Sequence, residues 1–331
     1  MFSYGLSFKW PKKIGFWLKI ALFAGLIAYV GHVLRQQRFD WLLVRQQLRA
    51  VEHPERWAAV LLLLTPVNWG FEALKWQILL RRVERTTFRD AYRAVLVGLS
   101  LGFALPAQLG DTAGRVLSLR TDARAGAIGA SLVSGGMQFY VALVFGAVAW
   151  AYHLTVALER DTVAGRWLLV LLTGLSGLGI LFGLVRRGLI GWLSTRPPLR
   201  RFASYWDVAG QYDDREIELA LGAATVRYLI FSAQFYMAMR LVGIGLPPDI
   251  SASGIGVVFL VKTVMPAFNL LSDLGVREAA ALWVFAPFGP SAGAVSVLIT
   301  ATLTLWIANI LMPVLVGLMW VWRLKWSVNN R

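Results

Sequence analysis

Apolar residues run along this chain in blocks of about twenty, the length a membrane-crossing helix needs, and the polar residues gather between the blocks. The blocks are Ile14–Leu34, Trp57–Leu80, Ala125–Tyr152, Trp167–Val185, Leu219–Val242 and Ser291–Trp322. Each is long enough to cross a hydrocarbon core of about 30 Å as an α-helix. A transmembrane β-barrel would instead alternate apolar and polar residues over segments of about ten. The pattern predicts an all-α polytopic membrane protein of about six transmembrane helices.

Two further stretches are apolar but interrupted. In "AVLVGLSLGFALPAQLGDTAGRVLSLRTDAR", residues 94–124, the apolar run ends at Pro106 and a half-polar helix follows. Residues 252–288, "ASGIGVVFLVKTVMPAFNLLSDLGVREAAALWVFAPF", repeat the plan around Pro266. Runs of about ten to fourteen apolar residues suit a re-entrant half-helix better than a crossing. Proline removes a backbone donor and ends the helix there.

Charge assigns the sides. Lys9, Lys12 and Lys13 place the N-terminus in the cytoplasm, and Arg323, Lys325 and Arg331 place the C-terminus there. Arg81, Arg82, Arg85, Arg89 and Arg93 mark one cytoplasmic connection, and Arg186, Arg187, Arg196, Arg200 and Arg201 mark another. Residues 151–166 are charge-balanced and face outward. These assignments agree only if both interrupted stretches enter and leave on one side, as re-entrant hairpins. Residues 36–56 run against the scheme: placed outside, they carry, with Arg35, five arginines and three acids.

The result is one membrane domain, residues 1–331, with two opposed re-entrant helical hairpins in an inverted repeat. The first unit covers 57–152 with its hairpin at 94–124, and the second covers 219–322 with its hairpin at 252–288. Inverted repeats with broken helices are a secondary-transporter architecture.

Composition adds limits. The formal net charge of +15 lies in the connections, where an anionic membrane surface attracts it, so no nucleic acid is expected. Without cysteine there is no disulfide framework or thiolate metal site, and His32, His53 and His153 lack metal-ligand spacing. Neither metal nor cofactor is expected. Many of the 15 tryptophans, including Trp10, Trp41, Trp57, Trp150, Trp167, Trp192, Trp320 and Trp322, fall near block ends as interfacial anchors. The basic-flanked N-terminal block is too long for a signal-peptide core and reads as a retained first helix. The chain is placed in the cell (inner or plasma) membrane.

Ionisable residues inside a bilayer cost at least about 2.5–3.5 kcal/mol each, so they are functional candidates. At the inner break the candidates are Gln108, Gly110, Asp111 and Arg115, and at the outer break Asn269, Ser272, Asp273, Arg277 and Glu278, the acids and arginines among them being the ionisable ones. Asp111 and Glu278 read as acids favoured at helix N-termini, where exposed N–H groups also hold anions, and each arginine can grip a phosphate bidentately. The same residues could instead only cap and pin the breaks. Glu72 and Lys75, spaced i, i+3, can pair within their span. Glu72, Lys75 and Glu278 are candidates for proton coupling, and Lys262 either snorkels or meets Asp273. "GLSLG", 98–102, matches a nucleophile elbow but has no strand before it, and reads as small-residue helix packing. "GLSGLGILFG", 174–183, gives the same packing signal.

"LPAQLGDTAGR" and "LGVREAA", with "EALKWQILL" at 72–80, resemble motifs of the lysylphosphatidylglycerol synthase/flippase transmembrane family. The resemblance covers roughly residues 15–322, and Gly-Val-Arg-Glu-Ala is its most specific piece. It implies movement of lipids or lipid-linked intermediates between leaflets. The chain stops nine residues after Trp322, which resembles stand-alone flippase-like members without an aminoacyl-transferase domain. Three departures matter. Ser272-Asp273 replaces a Gly-Gly, Pro266 lies further upstream, and "SGGMQFY" stands where an arginine and an aspartate often sit. The expected partner is a lipid with an anionic headgroup, a phospholipid or a polyprenyl phosphate. The alternatives are a membrane-embedded lipid transferase with Glu278 or Asp111 as base, and a non-transporting partner in envelope lipid or glycan synthesis.

Overall fold

The computed structural model describes residues 41–104, 109–120, 123–157, 162–265, 270–288 and 292–321, and every regular element among them is helical. In chain order these are α1 (Trp41–Ala50), α2 (Pro54–Leu80), α3 (Phe88–Ala104), α4 (Leu109–Leu117), α5 (Arg124–Tyr152), α6 (Val163–Thr195) and α7 (Pro197–Arg200). There follow α8 (Ala203–Gln211), α9 (Asp214–Leu241), α10 (Pro248–Val264), α11 (Leu270–Phe285), α12 (Ala292–Trp306) and α13 (Met312–Val321). A π turn, Ile307–Leu311, joins the last two.

Among the described residues four helices are long and apolar enough to cross a membrane: Pro54–Leu80, Arg124–Val156, Val163–Thr195 and Val297–Val321. They correspond to four of the predicted blocks. The block at 219–242 falls in α9, which has the length of a span at 28 residues but carries Arg227, Gln234 and Arg240. The block at 14–34 lies outside the described residues.

α2 carries polar residues on its buried side, against a core that is otherwise mostly apolar. On α2 the buried stripe Leu61, Thr65, Asn68, Glu72, Lys75 and Trp76 has helical spacing, yet four of its members are polar. Leu62, Leu63 and Val67 point outward. Burying polar groups is tolerable only with partners, and α9 and the π turn supply several. Gln234 donates to Leu61 O and Thr65 Oγ1, each at 2.9 Å, and Asn68 donates to Asn309 Oδ1 at 2.7 Å. Interhelical hydrogen bonds of this kind hold bundles together where no hydrophobic effect acts between helices.

α3 and α4 form one antiparallel pair. Their seam is glycine: a methyl group on Gly98 would lie 2.4 Å from Asp111 Oδ1, and one on Gly114 would lie 2.7 Å from the Gly98 Cα. "GLSLG" is therefore a helix-packing motif, as its composition suggested. α3 begins at Phe88 and not at 94, because the Thr87 hydroxyl accepts from the Asp90 N–H and donates to the Asp90 carboxylate. Reading apolarity alone misses that charged first turn. α10 and α11 form the second pair, with Gly254 against Phe285.

The pairs open at opposite ends of the bundle. The first opens beside the C-terminal end of α2, where the Arg120 N–H donates to Glu84. The second opens beside the C-terminal end of α5, where Tyr152 donates to Asp249 at 2.5 Å and the rings of Trp150 and Trp283 stack.

A polar latch closes the first of these ends. Arg82 donates to Asp213 and Glu216 at 2.6 and 2.7 Å, Tyr212 donates to Leu79 O, and Arg186 binds both Tyr212 O and Asp214. The hydrogen bond from Arg186, reinforced by Arg187, holds the exposed Asp214 carboxyl below its ordinary value.

The stretch 174–183 does not form the predicted packing seam. A methyl group on Gly174, Gly177 or Gly183 would meet nothing within 4 Å, although Gly179 does back onto Tyr140. α6 lies on the outside of the bundle, with Leu168, Leu171, Leu178 and Leu184 exposed. Of the glycines in that stretch, Gly179 alone approaches another helix among the described residues.

Candidate functional site

The glycine seam between α3 and α4 sets Asp111 and Arg115 one turn apart on α4, against α2. Arg115 takes Asp111 at 2.9 Å on its own helix and reaches Glu72 on α2 at 2.8 Å. Glu72 also pairs with Lys75 at 2.9 Å and with Arg227 of α9 at 3.2 Å. Lys75 donates on to Ser134 O of α5, and Arg227 to Gln138 Oε1. Three helices thus meet at one carboxylate, and α5 holds two of its cations. Trp76 closes a side, its ring centroid 5.5 Å from the Arg115 guanidinium.

Burial makes this cluster costly. The Lys75, Arg115 and Glu72 side chains are 2%, 5% and 7% exposed, while Asp111 and Arg227 keep 26% and 29%. Three cations face two acids, an excess of one positive charge among the described residues. Removing ions from water costs several kcal/mol apiece, recovered only where the partners are complete. The excess cation is best matched by a single anion, and Arg227 is the cation that remains open to one.

The second predicted group lies one helical turn further along α9. Phe231 stacks on Phe259 with ring centroids 5.0 Å apart, and the Lys262 and Arg277 side chains each approach the Phe231 ring to 5.7 Å. Arg277 is fully buried. One expectation needs correction. Arg277 and Glu278 do not start a half-helix; α11 begins at Leu270, so they sit two turns inside it. Gly275 does not break the helix, and residues 272–273 fall in the first turn instead. The macrodipole argument therefore holds for Asp111, in the first turn of α4, and fails for Glu278. Glu278 Oε1 is buried with no hydrogen-bond partner among the described residues.

Gln108 and Asn269 lie outside the described residues, as do the side chains of Ser272 and Asp273 and hence any pairing of Lys262 with Asp273. Gly110 is where expected, its Cα facing the Leu101 carbonyl so closely that a methyl group would lie 2.1 Å from it. His53 sits beside Glu55, His153 is buried 3.5 Å from Ser253, and His32 lies outside the described residues.

With this geometry in place, the family match becomes interpretable. The model of the lysylphosphatidylglycerol synthase TM region matches residues 16–317. The chain belongs to this family. No curated protein and no solved structure is significantly similar to it. Membership makes the chain a membrane protein with a lipid-related role. It also locates the departure "SGGMQFY": Ser134 and Gln138, in that stretch of α5, are the residues that bind Lys75 and Arg227.

Arg227, Ser134, Gln138 and Trp76 are the site residues that the sequence analysis passes over. Arg227 carries a readable signal, a lone charge near the middle of an apolar block. The other three look like ordinary helix content until the fold brings them to Glu72.

Proposed function

We propose that this protein is a flippase-like translocase that moves a lipid with an anionic, phosphate-bearing headgroup, a phospholipid or a polyprenyl phosphate, between leaflets. The observation that carries the reading is the buried five-residue cluster with its excess positive charge, fed by helices from both halves of the chain. A phosphodiester carries one negative charge and accepts hydrogen bonds from a guanidinium, and Arg227 is the most exposed cation of the cluster.

The proposed topology has six spans, with α3/α4 and α10/α11 as hairpins that enter the membrane and return. It supports the reading that each 17-residue first arm, α3 or α10, reaches only about 25 Å at 1.5 Å per residue, short of a typical core. The pairs open at opposite ends, as units 57–152 and 219–322 of an inverted repeat would require, with both termini in the cytoplasm. Phe231 and Arg227, one turn apart on α9, then put the two hairpin groups on a common path. Within that path Glu72, Lys75 and Glu278 are the groups available for proton coupling.

The test is leaflet-resolved transport by the purified chain in proteoliposomes, using a fluorescent phosphatidylglycerol and a zwitterionic control. Exchange of the anionic lipid above protein-free vesicles supports translocation. No exchange of any phosphate lipid, from a protein shown to be folded, removes it.

A further inference from the structure

Outside the buried cluster, and lined in part by Trp76, lies a cavity of about 270 Å³. It sits between the C-terminal end of α2, the start of α3, the end of α4 and Trp320 of α13. Its floor is apolar, with Leu80, Ala94 and Val97, while Arg85, Arg93 and Arg120 stand around it against Glu84 and Asp90. Three cations to two acids repeats the imbalance of the inner cluster. Arg93 is held over the Trp320 ring at 4.4 Å and against Asp90 at 3.4 Å, so one cationic wall is preset.

Trp76 supplies the second observation. It is fully buried, lines this cavity, and its Nε1 donor has no hydrogen-bond partner among the described residues. A buried donor without an acceptor is costly, and an oxygen-rich occupant that draws the ring toward the cavity removes that cost. The same side chain contacts Arg115, so Trp76 touches both cavity and cluster.

We propose that this cavity is a loading site for a phosphate ester group, which docks on Arg85, Arg93, Arg120 and Trp76 Nε1 before passing Trp76 to reach the Arg227–Arg115 cluster. Size restricts what enters. Pockets for drug-sized ligands run from about 300 to 1,000 Å³, so 270 Å³ takes a headgroup and leaves acyl chains in the membrane. On the topology proposed above the site faces the cytoplasm. The inference rests on the translocation reading for its direction of travel, but binding alone tests it.

Isothermal titration of the purified full chain in neutral detergent, with dioctanoyl phosphatidylglycerol, dioctanoyl phosphatidylcholine and inorganic phosphate, is the experiment. Arg85→Ser/Arg120→Ser changes two exposed side chains and leaves the fold intact; it should weaken phosphatidylglycerol binding about tenfold, ~1.4 kcal/mol. Trp76→Phe keeps an aromatic ring but removes the indole N–H together with ring volume; it should weaken binding about threefold or more and also lower the melting temperature through the space it leaves. Competition by millimolar phosphate supports the proposal with the phosphate as the recognised unit. Lipid binding that phosphate does not displace supports it with the glycerol ester as part of the recognised group. Wild-type affinity in both variants, or no phosphatidylglycerol binding by the wild type, overturns it. Transport with unchanged affinity in both variants would sink the loading site and leave translocation standing. Binding as described by a protein that moves no lipid would do the reverse.

Discussion

Arg115 on α4 donates to Glu72 on α2 across 2.8 Å in a site almost closed to solvent. This bond ties the short arm of a helical pair to a long apolar helix. It exists because glycines at 98, 102, 110 and 114 let α4 settle against α3 at backbone distance. The position of the charge is set by residues that have no side chain.

Glu72 therefore holds the fold as well as the charge. Glu72→Gln would leave Lys75, Arg115 and Arg227 with Asp111 as their one acid among the described residues. Breaking a buried pair costs about 3–5 kcal/mol, so the variant should melt far below the wild type in lipid nanodiscs. Adding Lys75→Met should recover part of the loss. Equal melting of the single variant and the wild type would remove Glu72 from the structural account.

The glycine seam makes a second, sharper contrast. A methyl group at Gly114 would sit 2.7 Å from the Gly98 Cα, backbone that cannot swing away. Gly114→Ala should cost about 1–3 kcal/mol by overpacking. Gly177→Ala, in open space on α6, should be neutral or stabilising by up to about 1 kcal/mol through helix propensity. Thermal unfolding of the two variants side by side checks both.

How far the sequence carried these conclusions differs by level. Block length and the positive connections located the long helices, since a bilayer demands about twenty apolar residues and repels charge. The pairs around Pro106 and Pro266 were legible because proline and a sudden polar break end helices visibly. The start of α3 was not, because a Thr87–Asp90 cap looks like loop polarity. Glu72, Lys75, Asp111 and Arg115 were legible as misplaced charges. Their convergence with Arg227 was not, because nothing in spacing says which face of α9 meets α2. Apolarity puts Arg277 at a helix start because the uncharged run begins only at Ala279, while α11 starts at Leu270 and runs through the charged residues.

The polar latch gives a pH dependence with a defined sign. Arg186 lowers the Asp214 carboxyl below its ordinary value of about 3.9. A depressed acid stabilises the folded state above its unfolded value, and that contribution disappears as pH falls through the lower folded value. Asp214→Asn should leave less stability to lose on acidification below about pH 4 than the wild type has. Melting temperatures across that range, in buffers of constant ionic strength, give the comparison.

Sidedness is testable without activity. Single cysteines at Ala107 and Asn269 in this cysteine-free chain should label from opposite faces of the membrane, the first from the cytoplasm. Labelling of both from the same face contradicts the inverted arrangement of the two pairs.

The outer pair needs a different probe. Arg277→Lys keeps the charge and loses the planar fork that grips phosphate. With normal accumulation, it should lower lipid exchange about tenfold or more, the loss of one bidentate contact. A fully active lysine variant, together with an Arg277→Ala variant that fails to accumulate, would make Arg277 a structural residue.

The central claim is that the excess positive charge at Glu72 serves an anionic headgroup and not the fold, and Arg227 separates the two. Without Arg227 the cluster holds Lys75 and Arg115 against Glu72 and Asp111, a balanced set. The measurement is leaflet exchange of fluorescent phosphatidylglycerol by Arg227→Gln in proteoliposomes, paired with its melting temperature. The account predicts wild-type stability and exchange reduced to near the protein-free rate. Exchange at the wild-type rate, or an unfolded variant, would contradict it.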